Sequence, residues 1–326
     1  MEDYEASLEP EQLRCSRFVF SEIGKALTSA RQKGELMSEN LDRLMEGSID
    51  VHIHAGPDAG NIRRFDEIDV AIRACNAKMK AIVFKQAFAP TACRAPLVQK
   101  VVNQWAQEHN LKATKVIGGV ALNMSVGGLN PQAVVGCARY GGKFVWLPVS
   151  DSSHHRRVIG ETGGIEVVDK EGRALPELLE ILKIIIENDL VLVLSHQSTR
   201  ERWKILQEAK KLGAKRILVD HPQESVTKMT LAQMREFAEE GAYFSMTWMA
   251  AVPNLYNPWT DPREIVEIIR KVGVKPLVAG TDLMQAGNPD PVEGLRFFME
   301  MLLVMGISVE EIRSIFSINP TKLIFE

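Results

Sequence analysis

The stretch DVHIH, residues 50–54, places His52 and His54 on one face of a short apolar segment. Side chains two positions apart in an extended strand point to the same side, so this pair can hold one metal ion. The sequence AGPD follows at residues 55–58, and its glycine and proline end the strand. The two imidazoles are therefore predicted at the carboxyl end of a strand, where α/β barrels keep their chemistry.

Strand-like and helix-like segments alternate from Ile49 onward, which indicates parallel strands joined by crossover helices. Eight strands are predicted, the number that closes a (β/α)8 TIM barrel of the α/β class. They are placed at residues 49–54, 81–85, 116–122, 144–147, 190–196, 215–221, 242–246 and 276–282. Residues 1–48 are predicted to form an N-terminal helical extension outside a barrel domain at residues 49–326.

The composition limits the classes of function. The chain of 326 residues is 45% hydrophobic, and 39 basic against 42 acidic residues give a formal net charge of −3 without a basic stripe. Such a chain can bury a substantial core, and neither nucleic acid nor a membrane is expected as a partner. Separated cysteines and an acidic amino terminus without an apolar segment predict a reduced protein of the cytoplasm. The cysteines are Cys15, Cys75, Cys93 and Cys137.

Three later strands also end in residues that can bind a metal. The fifth predicted strand ends at His196, the sixth at His221 and the eighth at Asp282. In a closed barrel these side chains would meet His52 and His54 at one mouth. Nitrogen ligands with a carboxylate suit zinc and, under other conditions, iron, manganese or nickel. Such an ion would activate a water molecule near neutral pH and polarise an oxygen of the substrate.

This set of residues resembles the amidohydrolase superfamily of metal-dependent barrel enzymes. The match consists of a His-x-His on strand one, one histidine each on strands five and six, and an aspartate on strand eight. The tail INPTKL, residues 318–323, is similar to the Asn-Pro-Ala-x-x-Leu ending common in that superfamily. The segments HIHAGPD, residues 52–58, and GNPDP, residues 287–291, are most similar to an uncharacterised amidohydrolase-like group. The resemblance covers roughly residues 49–326.

The resemblance implies that His52, His54 and Asp282 hold one divalent metal ion and that His196 and His221 hold a second. It also implies that Asp282 acts as a general base on a small-molecule substrate, and it is compatible with a homo-oligomer. The expected reaction is hydrolysis of an amide, cyclic amide, lactone or ester bond. A decarboxylase or hydratase of the same superfamily and a metal-holding barrel without turnover are the alternatives. The presence of His221 favours hydrolysis, because two metals suit water activation.

One feature departs from the superfamily pattern. Members with two metals commonly use a carboxylated lysine or a glutamate from strand four as a bridge, but strand four here ends in WLPV, residues 146–149, with neither. Lys85, at the end of strand two, is the lysine predicted at the mouth. It is interpreted as a carboxylated bridge, as a cationic clamp for an anionic substrate, or as a partly solvated strand-end lysine. Without a bridge, a single metal with His221 as a substrate contact is expected.

Weaker candidates lie in the connecting segments. The long interval between strands four and five contains a predicted hairpin with its turn at residues 169–172, and it is expected to be a lid or substrate loop or else a surface excursion. Its His154 and His155 could meet an acidic substrate, although a solvated turn is the more frequent explanation. Arg94 is a candidate for binding a carboxylate or phosphate. The other residues considered are His109, expected to be exposed, and Trp248, Tyr256 and Trp259, which could wall a pocket or pack against the rim.

Overall fold

The computed structural model describes residues 37–252 and 260–326. Strands and helices alternate through them as the sequence predicts. The strands are β1 (Ile49–Ile53), β2 (Ala81–Phe84), β3 (Lys115–Ile117), β4 (Gly119–Ala121), β5 (Phe144–Trp146), β6 (Val191–Leu194), β7 (Ile217–Asp220), β8 (Tyr243–Thr247) and β9 (Leu277–Gly280). The α-helices are α1 (Met37–Met45), α2 (Glu67–Asn76), α3 (Ala95–Glu108), α4 (Pro131–Arg139), α5 (Ser153–Val158), α6 (Pro176–Glu187), α7 (Thr199–Lys211), α8 (Leu231–Glu239), α9 (Pro262–Val272), α10 (Pro291–Val304), α11 (Val309–Arg313) and α12 (Asn319–Phe325).

Local sequence explains where these elements begin. Strand β6, with the sequence VLVL, is buried at every position, as a strand covered on both faces should be. Helix α7 begins with a capping box in which Ser198 and Glu201 satisfy each other's backbone N–H groups. Helix α9 begins at Asp261, whose carboxylate accepts from the N–H of Arg263, with Pro262 at the first helical position.

The strands form two parallel sheets, with the order β1-β2-β3 in one and β4-β5-β6-β7-β8-β9 in the other. The single third strand predicted at residues 116–122 is therefore wrong, because it is divided at Gly118. The N–H groups of Thr91 and Ala92, from the loop after β2, donate to the carbonyl of Gly119 at 2.9 and 3.2 Å. A Cβ atom on Gly118 would lie 2.6 Å from backbone atoms of that loop. The loop thus occupies the place where the strand would continue.

The last strand lies beside the first at their carboxyl ends. The N–H of Asp282 donates to the carbonyl of His52 at 2.8 Å, and the N–H of His54 donates to the carbonyl of Leu283 at 3.2 Å. The buried carboxylate of Asp50 accepts from the N–H and the hydroxyl of Thr281 at 3.0 and 2.7 Å. These bonds bring together the two chain segments that the barrel prediction requires to meet. Closure of all strands into one continuous barrel stays a prediction.

Three predicted strands end earlier than expected, just before the residues singled out for metal binding. His221 and Asp282 have positive φ angles of 28° and 55°, which an extended strand cannot contain. Before His196 the ladder ends because the side chain of Gln197 accepts from the N–H of Ser195 at 2.9 Å. These side chains are consequently held by the first residues of the loops rather than by the strands themselves.

The opposite, amino end of the strands is closed by the carboxyl-terminal helix. Leu323 and Ile324 of α12 pack against strand residues such as Ile49 and Val51 in a small apolar cluster. Arg216, just before β7, donates to the carbonyl of Leu323 at 2.8 Å. Apolar side chains therefore fill the amino end of the strands, and the polar cluster lies at the carboxyl end.

The remaining predictions on organisation have mixed outcomes. Residues 1–36 of the predicted helical extension lie outside the described residues, and α1 is helical as expected. The hairpin is confirmed by an antiparallel bridge between Val168 and Ala174 around a turn in which Gly172 donates to Asp169. The cysteines among the described residues are all free, and no helix in this part of the chain is long and apolar enough to cross a membrane.

Candidate metal centre

The centre of the site is formed by the first and last strands. Nε2 of His54 lies 2.9 Å from Oδ1 of Asp282, and Nε2 of His52 lies 3.2 Å from the same oxygen. Gly280 permits this approach, since a Cβ atom there would lie 2.7 Å from the Cβ of His52. The structure thus brings Asp282 to two histidines that precede it by more than two hundred positions in the sequence.

Asp220, a residue that the sequence analysis missed, joins His52 to Lys85. Its Oδ1 lies 3.1 Å from Nδ1 of His52, and its Oδ2 accepts from Nζ of Lys85 at 3.1 Å. The same Oδ2 lies 3.5 Å from Nε2 of His221. The sequence did contain a signal for Asp220, because this residue ends the apolar strand ILVD. A charged side chain that is buried in such a strand requires a partner.

His196 and His221 form the second half of the site. Their Nε2 atoms lie 3.3 Å apart, and their rings meet edge to face. Nδ1 of His196 lies 2.6 Å from Nδ1 of His155, on helix α5 of the long interval. The solvated-turn interpretation of His155 is therefore wrong, because the short helix turns this ring onto His196.

Lys85 is buried, with a side chain 4% exposed, so its interpretation as a partly solvated lysine is wrong. Its Nζ pairs with Asp220 and lies 5.9 Å from the centre of the Trp146 ring. The carboxylated bridge and the cationic clamp stay open as predictions.

Glu224 is a second acidic residue that the sequence analysis missed. Its Oε2 lies 3.7 Å from Nδ1 of His221, and its Oε1 accepts from the hydroxyl of Thr247 at 3.2 Å. Burial, together with the negative charges of Asp282 and Asp220, raises the pKa of Glu224 well above its usual value. Glu224 is consequently a group that can carry a proton inside the site.

The electrostatics of the cluster favour metal binding. Burial lowers the pKa of His54 and of His221 to about 4, and the positive charge of Arg63 adds to the effect at His54. Burial opposes ionisation of Asp282, but His52 and His54 outweigh it and hold the pKa of this carboxyl below its usual range. Neutral imidazoles and an ionised carboxylate are the forms that bind divalent cations.

The donor atoms have the spacing of metal ligands. Tetrahedral nitrogen ligands about 2 Å from a zinc ion lie roughly 3.3 Å from one another. In addition, Nε2 of His52 and Nδ1 of His54 are buried without a hydrogen-bond partner among the described residues, a costly state unless a ligand satisfies such an atom. Three overlapping groups have donor atoms within 4.8 Å of one another. These are His52, His54 and Asp282; His52, Asp220 and His221; and His221, Glu224 and Asp282. The residues present therefore fit a bound divalent cation.

The weaker candidates lie elsewhere or have other partners. Arg94 is occupied by Glu67, with contacts of 2.6 and 3.1 Å, so its guanidinium is not free for a substrate anion. His109 is exposed and stacks on Trp105 at a ring separation of 3.8 Å. Trp248 stacks on Phe298, which supports the packing interpretation. Tyr256 and Trp259 lie outside the described residues.

Solved structures with the same fold include several amidohydrolase-type proteins. The probable dipeptidase PvdM from Pseudomonas aeruginosa is 12% identical with a TM-score of 0.58, and the match covers 88% of this chain and 97% of that one. An amidohydrolase from the same organism is 12% identical with a TM-score of 0.60, covering 89% and 98%. A variant of the organophosphorus hydrolase from Deinococcus radiodurans is 13% identical with a TM-score of 0.52, covering 85% and 93%. At these identities the matches confirm the predicted fold class and not a shared reaction.

The comparisons of sequence identify a family but no curated relative. No curated protein matches the chain. A family of unknown function, DUF6282, matches residues 47–245, which contain β1 to β7 and all the site residues described above except Asp282. Because the match spans more than half of the sequence, the chain belongs to the DUF6282 family.

Proposed function

We propose that the protein is a metal-dependent hydrolase that activates water to cleave an amide, cyclic amide, lactone or ester bond of a small molecule. The observation that carries this proposal is the convergence of four imidazoles and ionised Asp282 at one end of the parallel strands. In support of it, His52 and His54 lie 3.2 and 2.9 Å from Asp282, and His196 lies 3.3 Å from His221. Zinc suits this mixture of nitrogen and carboxylate donors.

Each side chain of the cluster has its own role in the proposed reaction. A bound divalent ion supplies Lewis acidity, which lowers the pKa of a water ligand and polarises the substrate's carbonyl oxygen. Asp282 is the general base, because its ionised carboxylate lies at the centre of the site and can accept the proton of the attacking water. Asp220 accepts the Nδ1 proton of His52 and thereby leaves Nε2 of that ring free to bind the ion. Lys85, which donates to Asp220, can bind an anionic part of the substrate.

A lyase is the second candidate, and one observation favours it. Lys85 pairs with Asp220 instead of standing free for carboxylation, so the bridge expected of a two-metal hydrolase is not formed by the unmodified side chain. A single-metal site of this kind is compatible with a decarboxylase or hydratase. A binding barrel without turnover is disfavoured by Asp282, because a purely structural site has no use for a base beside an open ligand position.

Hydrolysis is supported further by what is known of the neighbours of similar fold. Their names describe a probable dipeptidase, an amidohydrolase and an organophosphorus hydrolase, which all cleave bonds with water. The free cysteines accord with a cytoplasmic enzyme.

The test is elemental analysis of the purified protein followed by an activity screen. About two metal equivalents per chain support the two-metal hydrolase, about one supports the lyase arrangement, and none contradicts both. The screen should contain amides, lactones and esters together with carboxylic acids that can lose carbon dioxide. Hydrolysis that disappears on chelation and returns with zinc is the expected result. Decarboxylation without hydrolysis would replace the proposal by its alternative.

A further inference from the structure

The loop between β1 and α2 lines an open cavity at the residues that follow His54. Residues 56–63 line this cavity, whose volume is about 460 Å³, and the lining begins two positions after His54. The loop is fixed at its base, where the N–H of Gly56 donates to the carbonyl of Phe65 at 2.9 Å and the N–H of Glu67 donates back to Gly56 at 3.0 Å. On the other side Gln86, adjacent to Lys85, donates to the carbonyl of Pro57. The cavity is therefore built by anchored backbone between two of the site's loops.

Arg63 is one of the residues that line this cavity, and one of its nitrogens has no hydrogen-bond partner among the described residues. Its side chain is only 5% exposed, and its Nε and Nη2 atoms both contact Oδ2 of Asp58, at 2.7 and 2.6 Å. The remaining nitrogen, Nη1, is buried and has no hydrogen-bond partner in the described part of the chain. Buried donors of a charged group are rarely left without an acceptor, so we expect a ligand to accept a hydrogen bond from this atom. Arg63 is also close enough for its charge to act on His54.

We propose that Nη1 of Arg63 binds a carboxylate group of the substrate in this cavity, while the bond to be cleaved lies at the metal cluster. This inference rests on the proposed function and deepens it by naming the substrate class, a small molecule with a free carboxylate. A singly charged group fits better than a doubly charged phosphate, because Asp58 already neutralises Arg63. Charge-assisted bonds of guanidinium to carboxylate are strong and directional, which suits the positioning of a substrate.

The test compares two small amides that differ only in charge, N-acetylglycine and N-acetylglycinamide. Binding to the metal-loaded protein is measured by calorimetry. We expect the carboxylate to bind the wild type about tenfold more tightly than the carboxamide. In R63Q this preference should disappear. R64Q is the matched control, because Arg64 is the exposed neighbour, carries the same charge and contacts the carbonyl of Asn288 and the Phe65 ring.

R63Q leaves Asp58 unpaired and could unfold the loop, so the double variant D58N/R63Q, which removes both members of the pair, is measured beside it. Metal content equal to that of the wild type shows that the cluster is intact in each variant. A preference that survives in both Arg63 variants would overturn the inference and place the carboxylate on the metal. Equal binding of the two amides to the wild type, or none, would also overturn it. A wild type without metal instead contradicts the proposed function, so the two failures are distinguishable.

Discussion

The two ends of the parallel strands use charged residues in opposite ways. At the amino end, Asp189 is more than half exposed and is bound by Arg216 at 2.7 and 2.9 Å and by Lys143 at 2.8 Å. At the carboxyl end, Asp220 and Asp282 are buried among imidazoles, beside ring nitrogens that have no hydrogen-bond partner in the described part of the chain. The first group is satisfied in solvent-exposed ion pairs, and the second lies in a buried cluster with nitrogens that a further ligand could satisfy. The difference separates a stabilising site from a reactive one.

Backbone conformation does not separate the two ends as sharply. Asp282 at the carboxyl end and Asp189 at the amino end have similar positive φ angles, 55° and 51°, in a region that aspartate tolerates readily. His221, at the carboxyl end, has a φ of 28°, which non-glycine residues adopt at a cost of about 1–3 kcal/mol. The environment of the charged groups, rather than backbone strain alone, therefore distinguishes the two ends among the residues compared.

Removing the general base gives the largest expected effect. D282N should lower kcat on any confirmed substrate by about 10²–10⁴-fold, because the proton of the attacking water loses its acceptor. Steady-state kinetics with metal content measured in parallel tests this. D189N, at the other end of the strands, should keep kcat unchanged. A D282N enzyme of near-native rate would contradict the role of Asp282.

Acid should destabilise the metal-free protein through the carboxyl end. Burial lowers the pKa of His54 and His221 to about 4, so the native state stays neutral where the unfolded chain takes up protons. Their contribution is present above the unfolded pKa of about 6.5 and is lost as the pH falls from about 6.5 to about 4, on the order of 3 kcal/mol for each histidine. Urea unfolding in the presence of a chelator measures it.

Two variants sharpen this measurement. H109Q removes an exposed histidine and should leave the pH dependence unchanged. Burial raises the pKa of Asp50 to about 7, so this residue acts in the opposite direction and D50N should steepen the loss in acid. A free energy of unfolding that is independent of pH between 6.5 and 4 would contradict the burial of neutral imidazoles.

The partner of His52 should matter for metal affinity. D220N removes the negative charge that holds Nδ1 of His52 and pairs with Lys85, and we expect metal binding to weaken by about 10–100-fold. Competition with a chromophoric chelator gives the dissociation constant without reference to activity. The control E201Q changes a capping glutamate on α7 and should leave the affinity unaltered. Unchanged affinity in D220N would remove Asp220 from the site.

The smallest effect is expected at the amino end. Arg216, and after it Lys143, lower the pKa of Asp189 to about 2, but the group is largely exposed and solvent screens its ion pairs. D189N should therefore lower the free energy of unfolding by about 1 kcal/mol or less, and less still at high salt. A loss several times larger would show that this end, too, depends on buried charge.

Much of this arrangement could be predicted because its signals are local. Histidines two apart in a strand share a face by geometry, and apolar runs that end in His or Asp mark strand ends. The sequence analysis missed Asp220 because His221, which follows it, is the more obvious metal ligand. Which of these two adjacent side chains enters the cluster depends on the backbone conformation after the strand ends. His155 was a weaker candidate, but its contact with His196 could not be predicted because it requires the helix that the long interval forms.

The sequence determined the alternation of strands and helices, and it placed His52, His54, His196, His221 and Asp282 at strand ends, because periodicity and burial act over a few residues. Tertiary structure alone decided that the loop at Thr91 divides the sheet at Gly118, that Asp220 links His52 to Lys85, and that Arg63 lines a cavity. Those contacts join residues far apart in the chain. Their distances depend on how the whole fold packs, which no local pattern encodes.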